Sequence, residues 1–249
     1  MNKPKLAIVI PDLNGEHSSR YLRGEVGIFA EIKRLYPDAY IMPALNGTEG
    51  DFSKTEAISR FGFHPLISSP GLACTLNKAY SKTGSVDVVV RLDVEEHPVQ
   101  HIGELAKRAR QIEGVVVGDL EHGEELMPRD SFEYYSNTEI TPKLFANATD
   151  GKLHISGAHG FCAISKNVLP VLRSQAYRIW RKAMQKSKKA GLNWGFDAMI
   201  YLSAIGLGVP IEVVRIPATD FRSRDRKKIL EQRFADEMAI NAAKEIFGW

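Results

Sequence analysis

The chain has 249 residues, of which 44% are hydrophobic and 25% charged, and its net charge at pH 7 is +3. This composition is typical of a soluble protein, and the length suits one large α/β domain or two small ones. The sequence contains no run of 18 apolar residues, so no membrane-spanning helix is predicted, and its N-terminal apolar stretch is too short for a signal peptide. The two cysteines, Cys74 and Cys162, are far apart in apolar surroundings, which predicts reduced core thiols in a cytoplasmic protein.

The first part of the chain alternates short apolar runs with amphipathic segments. This alternation predicts a doubly wound, mostly parallel sheet. Strands are expected over residues 5–10, 39–42, 64–68, 86–92 and 115–117, with helices from about residue 19 to Pro37 and over 53–60, 69–84 and 98–114. Pro11 is expected to end the first strand.

The second part has a less regular pattern. Residues 118–149 are polar, acidic and aromatic without a clear period, which predicts a long irregular insertion. Beyond it we expect strands at 161–164 and 209–216, and helices over 166–191, 193–206 and 226–247. With no repeat and no low-complexity linker, one domain over 1–249 is the favoured organisation.

Charge is distributed unevenly along this second part. Residues 119–139 contain seven acids and one base, whereas residues 166–189 contain eight bases and no acid. Such asymmetry is typical of proteins that attract an anionic substrate, a membrane surface or nucleic acid. Two solvated helix faces would produce the same pattern.

Three carboxylates follow the most apolar strand, at residues 86–92. Asp93, Glu95 and Glu96 come directly after it, and His97 and Pro98 follow. Unpaired charges are too costly to bury, and the carboxyl ends of strands in open α/β sheets are where ligands bind. Hard oxygen ligands there suit Mg2+ or Mn2+ held against a phosphate. A solvated turn that caps the next helix is the alternative.

Four segments together resemble the nucleotide-sugar glycosyltransferases of the GT-A fold, nearest to the family 2 type. They are Pro11-Asp12-Leu13-Asn14, the stretch from Gly71 to Ala79 containing Leu76-Asn77, the strand leading to Asp93, and Asn193-Trp194-Gly195-Phe196-Asp197 with the later Arg222 and Arg224. The chain departs from the family in carrying Asp93-Val94-Glu95 where D-x-D is usual, and in lacking the acidic turn after the second strand.

The resemblance implies a single GT-A (Rossmann-like) domain, with a nucleotide-binding half at 1–118 and an acceptor-side half at 119–249. It implies an inverting, metal-dependent transfer of a sugar from a nucleotide diphosphate sugar to a hydroxyl acceptor, which is a glycan, a lipid-linked group or a small molecule. Asp93 and Glu95 would hold Mn2+ or Mg2+, and Asp197 would be the catalytic base. The donor-binding candidates are Pro11, Leu13, Asn14, Gly71, Asn77, Arg91, Asp93, Arg222 and Arg224, and the acceptor-side candidates are His159, Trp194 and Phe196.

Several of these residues have a structural alternative. For Asp197 the alternative is stabilisation of a helix start, because an acid in the first turn interacts favourably with the helix dipole. For Trp194 and Phe196 the alternative is a place in the core, and for Arg222 and Arg224 it is a solvated loop. His97 is a weaker candidate for contact with the metal or the diphosphate.

Two other functions remain open from the sequence. A sugar-phosphate nucleotidyltransferase would have a similar sheet and metal carboxylates, but its glycine-rich loop is reduced here to Gly15. A non-catalytic nucleotide- or nucleic-acid-binding relative would use the basic residues 166–189, although few aromatic residues interleave them. Weak peripheral membrane contact through the C-terminal amphipathic helix is conceivable. Motifs for a P-loop, a dinucleotide fold, a nucleophile elbow or a zinc site are absent from the sequence.

Overall fold

The protein is built on one seven-stranded sheet. The structure, a computed structural model, describes residues 5–13, 27–46, 56, 58–60, 62–68, 71–93, 99–121, 131–156, 160–186, 196–217 and 226–249. The strands are β1 (Leu6–Leu13), β2 (Tyr40–Asn46), β3 (Leu66–Ser68), β4 (Val88–Arg91), β5 (Val115–Glu121), β6 (Cys162–Ser165) and β7 (Ile211–Pro217). Their order is β3-β2-β1-β4-β6-β5-β7, and β6 alone runs antiparallel to its neighbours. The α/β class with a mostly parallel sheet is therefore confirmed.

Helices cover both faces of this sheet. They are α1 (Ile28–Leu35), α2 (Leu72–Ser81), α3 (Ile102–Ile112), α4 (Phe132–Tyr135), α5 (Thr141–Ala148), α6 (Leu169–Lys186), α7 (Phe196–Gly206) and α8 (Arg226–Phe247). A 3-10 turn at Val99–His101 leads into α3, and a π-helical turn at Ser136–Ile140 joins α4 to α5. No helix of the described residues has the length and apolar character needed to cross a membrane.

The sheet separates two hydrophobic cores, one on each face. All four residues of β4 are buried, as the β-branched run predicts for a central strand. Val88 and Val90 pack with residues of α1 and α3, whereas Val89 packs with residues of α2, α6, α7 and α8. Alternate side chains of one strand thus serve both cores, because successive residues point to opposite faces.

The prediction that Pro11 ends the first strand is wrong, because β1 continues to Leu13. Pairing with β4 covers only Leu6 to Val9, while pairing with β2 continues as far as Leu13. Beyond Val9, one edge of β1 no longer has β4 as a ladder partner. A proline, which lacks an N–H group, is tolerated at such an edge.

The prediction of an irregular insertion over 118–149 is also wrong for the part of it that the structure describes. β5 continues to Glu121, and residues 132–148 form α4, the π-helical turn and α5 in succession. The Ser131 side chain caps α4 by accepting from the backbone N–H of Tyr134 at 3.1 Å. The π-helical turn changes the number of residues per turn, so the apolar residues do not recur with a regular helical period.

Candidate active site

The candidate site lies at the carboxyl ends of the parallel strands. From β1 the chain passes to β2 and β3 on one side, while β4 pairs on the other side of β1. Such a reversal of strand order leaves a crevice in which open α/β sheets bind ligands. Leu13 ends β1 at this edge, and Asp93 lies two residues beyond the end of β4.

Arg91, the last residue of β4, connects three segments of this edge. Its side chain is 1% exposed, and its Nη1 lies 2.8 Å from Oδ2 of Asp93. Its Nη2 lies 3.3 Å from Oδ2 of Asp197, at the start of α7. Nη1 also donates to the backbone carbonyl of Gly160, just before β6, at 2.6 Å. One buried cation therefore brings together two carboxylates whose residues are more than a hundred positions apart in sequence.

Asp197 is almost enclosed. Its side chain is 6% exposed, and it belongs to α7, in which every residue from Phe196 to Ala204 is buried. Burial raises the pKa of its carboxyl to about 6, an effect that Arg91 opposes and Asp93 reinforces. Its Oδ1 has no hydrogen-bond partner among the described residues. The site therefore contains a buried carboxylate with one oxygen held by Arg91 and the other without a hydrogen-bond partner among the described residues.

Further polar groups lie buried beside this carboxylate. The hydroxyl of Tyr80 and Nε of Arg91 also lack hydrogen-bond partners among the described residues. Tyr201, one helical turn after Asp197, is hydrogen-bonded to Cys162, and burial raises the pKa of that thiol to about 12. Sequence reasoning did not assign Tyr80 or Tyr201 to the site, although the i, i+4 spacing from Asp197 would have placed Tyr201 on the same helix face.

Asp93 has the chemistry that a divalent cation requires of a ligand. Its carboxylate is 43% exposed at the edge of the sheet, so a hard cation could reach a hard oxygen donor. The second expected ligand, Glu95, lies outside the described residues. The described residues contain no group of three or more His, Cys, Asp or Glu side chains that could hold a metal ion together. A carboxylate oxygen is a ligand that suits Mg2+ or Mn2+. Of the two expected metal ligands, the described part of the chain includes Asp93.

The other expected donor-binding residues lie at different depths. Gly71 precedes α2 with a φ of 114°, a conformation that favours glycine. Pro11 is half-buried near the end of β1. Asn77 is half-buried within α2, where its carbonyl accepts from Nη1 of Arg173 at 3.4 Å.

Phe196 lies in the core beside the site. Its ring is 0% exposed and 6.5 Å from that of Tyr80. This position favours the core alternative for Phe196 over contact with an acceptor. The remaining expected residues, Asn14, His97, His159, Trp194, Arg222 and Arg224, fall outside the described part of the chain.

Asp119 is a structural residue that sequence reasoning missed. It was counted only as one of the acids in the polar stretch, but it is 2% exposed on β5. The backbone N–H and hydroxyl of Ser156 donate to its Oδ1 at 2.8 and 2.7 Å. Burial raises the Asp119 pKa, and these two hydrogen bonds lower it. These two hydrogen bonds hold Ser156, which lies four residues before Gly160, close to β5.

The basic helix α6 is partly neutralised by its neighbour. Lys182 and Lys186 both form ion pairs with Glu245 of α8. The Tyr177 and Trp180 rings stack on each other with centroids 5.1 Å apart. Two basic side chains of α6 are therefore ion-paired with α8, and its two aromatic rings contact each other.

Comparison with known proteins shows the fold. No protein-family model matches the chain, and no curated protein matches its sequence. Mannosyl-3-phosphoglycerate synthase from Rubrobacter xylanophilus is similar in structure, with a TM-score of 0.61 and 12% identity, over 98% of this chain and 75% of that one. The chain therefore has the GT-A fold that the sequence resemblance implied.

Two weaker similarities involve different kinds of protein. GalNAc-T7, crystallised with UDP, GalNAc and Mn2+, superposes with a TM-score of 0.48 and 11% identity over 89% of this chain and 44% of that one. A putative glucose-1-phosphate thymidylyltransferase from Bacillus anthracis superposes with a TM-score of 0.48 and 13% identity over 95% and 99%. Similarity at this level does not decide between sugar transfer and nucleotide transfer.

Proposed function

We propose that this protein is a metal-dependent, inverting glycosyltransferase that moves a sugar from a nucleotide diphosphate sugar to a hydroxyl acceptor. The observation that carries the proposal is the buried Asp197 carboxylate, with Oδ2 held by Arg91 and Oδ1 without a described partner. Through Arg91, this carboxylate is linked to Asp93, the candidate donor-side ligand, on the GT-A fold.

On the donor side, Asp93 and Glu95 would hold a divalent ion. Such an ion would neutralise the negative charge that develops on the departing nucleoside diphosphate. We place Pro11, Leu13, Asn14, Gly71 and Asn77 around the donor, and Arg222 and Arg224 at its phosphates or at those of a phosphorylated acceptor. Guanidinium groups suit the last role because they bind phosphate oxygens in pairs.

On the acceptor side, Asp197 acts as the general base. An acceptor hydroxyl is a poor nucleophile at neutral pH, and a carboxylate in hydrogen-bond reach can take its proton during attack. The hydroxyl oxygen forms a bond to the anomeric carbon as the bond to the diphosphate breaks, with the electron pair going to the phosphate oxygen. A pKa of about 6 leaves Asp197 ionised at neutral pH and more basic than an exposed aspartate. We place His159 and Trp194 near the acceptor.

Asp197→Asn is the direct test of this role. Turnover is expected to fall about 100-fold or more because a positioned base is lost. The melting-temperature shift produced by a nucleoside diphosphate with Mn2+ should persist, since the donor site is unchanged. Glu104→Gln is the matched control, because Glu104 is also an acid in the first turn of a helix, α3, but is exposed.

Three results would contradict the proposal. One is an Asp197→Asn variant that keeps its rate and loses only about 0.5–2 kcal/mol of stability, as a helix-capping role predicts. A second is retention of configuration at the new anomeric centre, measured by NMR. The third is release of pyrophosphate in place of a nucleoside diphosphate, which would identify a nucleotidyltransferase.

A further inference from the structure

We propose that Arg91 is a positioning residue that holds the Asp197 carboxylate and the backbone at Gly160 in place, and that it does not contact the donor. This extends the proposed function, because it assigns the buried cation to the acceptor-side base. The sequence resemblance had placed Arg91 among the donor-binding residues, and the contacts of its guanidinium indicate a different role.

The burial of Arg91 requires the two carboxylates. A buried guanidinium without a partner is strongly destabilising, so its neighbours must supply negative charge. Asp93 is 43% exposed, but Asp197 is only 6% exposed, which makes Asp197 the enclosed partner. The planar guanidinium directs Nη1 and Nη2 along different fixed directions. It therefore sets where the start of α7 lies relative to the end of β4.

Gly160 provides the third fixed point. A Cβ atom built on Gly160 would lie 1.4 Å from Nη1 and 1.8 Å from Cζ of Arg91. Only glycine allows the guanidinium to lie against this backbone and to donate to the Gly160 carbonyl at 2.6 Å. The identity of residue 160 is thus explained by the position of Arg91.

The same contacts leave the guanidinium of Arg91 poorly placed to bind the phosphates of a nucleotide sugar. Nη1 is engaged by Asp93 and Gly160, Nη2 is engaged by Asp197, and the side chain is 1% exposed. Nε has no hydrogen-bond partner among the described residues but is itself buried, so a diphosphate would have to enter the protein interior to reach any of the three nitrogens. The geometry therefore points to a role through Asp197.

Gly160→Ala tests this role because it displaces the guanidinium without removing its charge. We expect kcat to fall about 100-fold, the scale of a catalytic group moved by about 1 Å. The donor KM should change much less than kcat, because Asp93, whose contact with Nη1 is also disturbed, is half-exposed and does not depend on Arg91 for its charge. The nucleotide-induced shift in melting temperature should also persist.

Gly206→Ala is the matched control. Gly206 lies at the other end of α7, where an added Cβ would be 2.5 Å from the Phe247 ring. This variant strains the same helix without touching Arg91, so its kcat should stay near the wild-type value. A similar loss of kcat in Gly160→Ala and Gly206→Ala would overturn the proposal, since general strain would explain both. A raised donor KM with unchanged kcat in Gly160→Ala would also overturn it, because Arg91 would then serve the donor.

A thermal double-mutant cycle tests the contact independently of turnover. Arg91→Met and Asp197→Asn should together lower the melting temperature by less than the sum of the two single losses, because each single change leaves a buried group without its partner. Additive losses would overturn the proposal even in an active enzyme. Coupled losses in a protein that transfers no sugar would support the Arg91–Asp197 contact, while the glycosyltransferase proposal alone would fail.

Discussion

The two carboxylates that contact Arg91 differ in their surroundings. Asp93 is 43% exposed at the edge of the sheet, whereas Asp197 is 6% exposed and has a pKa raised to about 6. An accessible carboxylate suits a hard cation, and an enclosed one with a raised pKa suits proton transfer. Environment therefore distinguishes two residues of the same type, which supports the separate roles proposed for them.

The raised pKa of Asp197 predicts an acid limb in the pH profile. Lowering the pH through about 6 protonates the carboxyl, which then cannot accept the acceptor's proton, so kcat/KM should decline. Because Arg91 lowers this pKa, weakening their contact in Gly160→Ala should move the limb to higher pH. The measurement is kcat/KM from about pH 4.5 to 8, because this ratio reports the pKa values of the free enzyme. A wild-type limb centred near the pKa of an exposed aspartate would contradict the assignment.

Asp93→Asn is expected to remove the metal-dependent part of nucleotide binding. The change keeps the side chain's shape but removes the charge that a hard cation requires. The Mn2+-dependent increase in melting temperature with a nucleoside diphosphate should therefore disappear. Asp87→Asn, at an exposed ion pair with Arg110, is the control and should keep the full increase. A full increase in Asp93→Asn would locate the metal elsewhere.

Among the secondary-structure elements, β6 and α7 bring Gly160 and Asp197 to Arg91. Because β6 runs antiparallel to β4, its beginning lies at the edge where β4 ends, and Gly160 reaches Arg91. α7 is buried around most of its circumference, so its first turn delivers Asp197 into the interior. The direction of one strand and the burial of one helix thus place Asp197 and Asp93 on the same guanidinium.

The turn at Gly114, which connects α3 to β5, contacts Pro210 just before β7 and offers a stability test at the level of these elements. A Cβ on Gly114 would lie 2.1 Å from the backbone oxygen of Pro210, which cannot move without shifting β7. Gly114→Ala should therefore destabilise the protein by about 1–3 kcal/mol, measured by chemical unfolding. Gly103→Ala is the control, because its added Cβ would lie 3.6 Å from the Tyr36 ring, an ordinary contact, and alanine favours a helix, so no destabilisation is expected. Equal effects of the two changes would show that the contact with Pro210 is unimportant.

Across the whole molecule, the sheet joins strands from both halves of the chain. β4, from the first half, pairs with β6, from the second, and β6 pairs in turn with β5. The charge asymmetry of the sequence is reduced by pairing, as with Lys182 and Lys186 on Glu245. This pairing weakens the case for α6 as a nucleic-acid-binding surface.

Binding to anionic surfaces is therefore expected to be weak. In flotation with vesicles rich in phosphatidylserine at about 0.15 M salt, where charges are screened beyond about 8 Å, most of the protein should remain unbound. Single-stranded RNA at the same salt should give no retention in a filter assay. Strong retention that falls steeply with salt would favour the nucleic-acid-binding alternative.

Local sequence patterns were enough to predict the order of most elements and the position of Asp93 after β4. Buried strands such as β4 consist of β-branched runs, and helices such as α3 carry a periodic apolar face, so local patterns predict them. The same patterns did not predict the passage of β1 through Pro11 or the helices within 132–148. Pairing with β2 explains why β1 continues past Pro11. The π-helical turn explains why the helices within 132–148 show no regular apolar period.

The contacts among the residues of the candidate site follow from the three-dimensional fold and from no local pattern. Residues 91, 160 and 197 are far apart in sequence, and no local pattern shows that one guanidinium contacts all three segments. The sequence likewise could not show that Phe196 packs in the core while Asp197 beside it contacts Arg91. Such contacts depend on strand order and helix packing, which bring distant residues together, and the pKa of Asp197 depends on the burial that results.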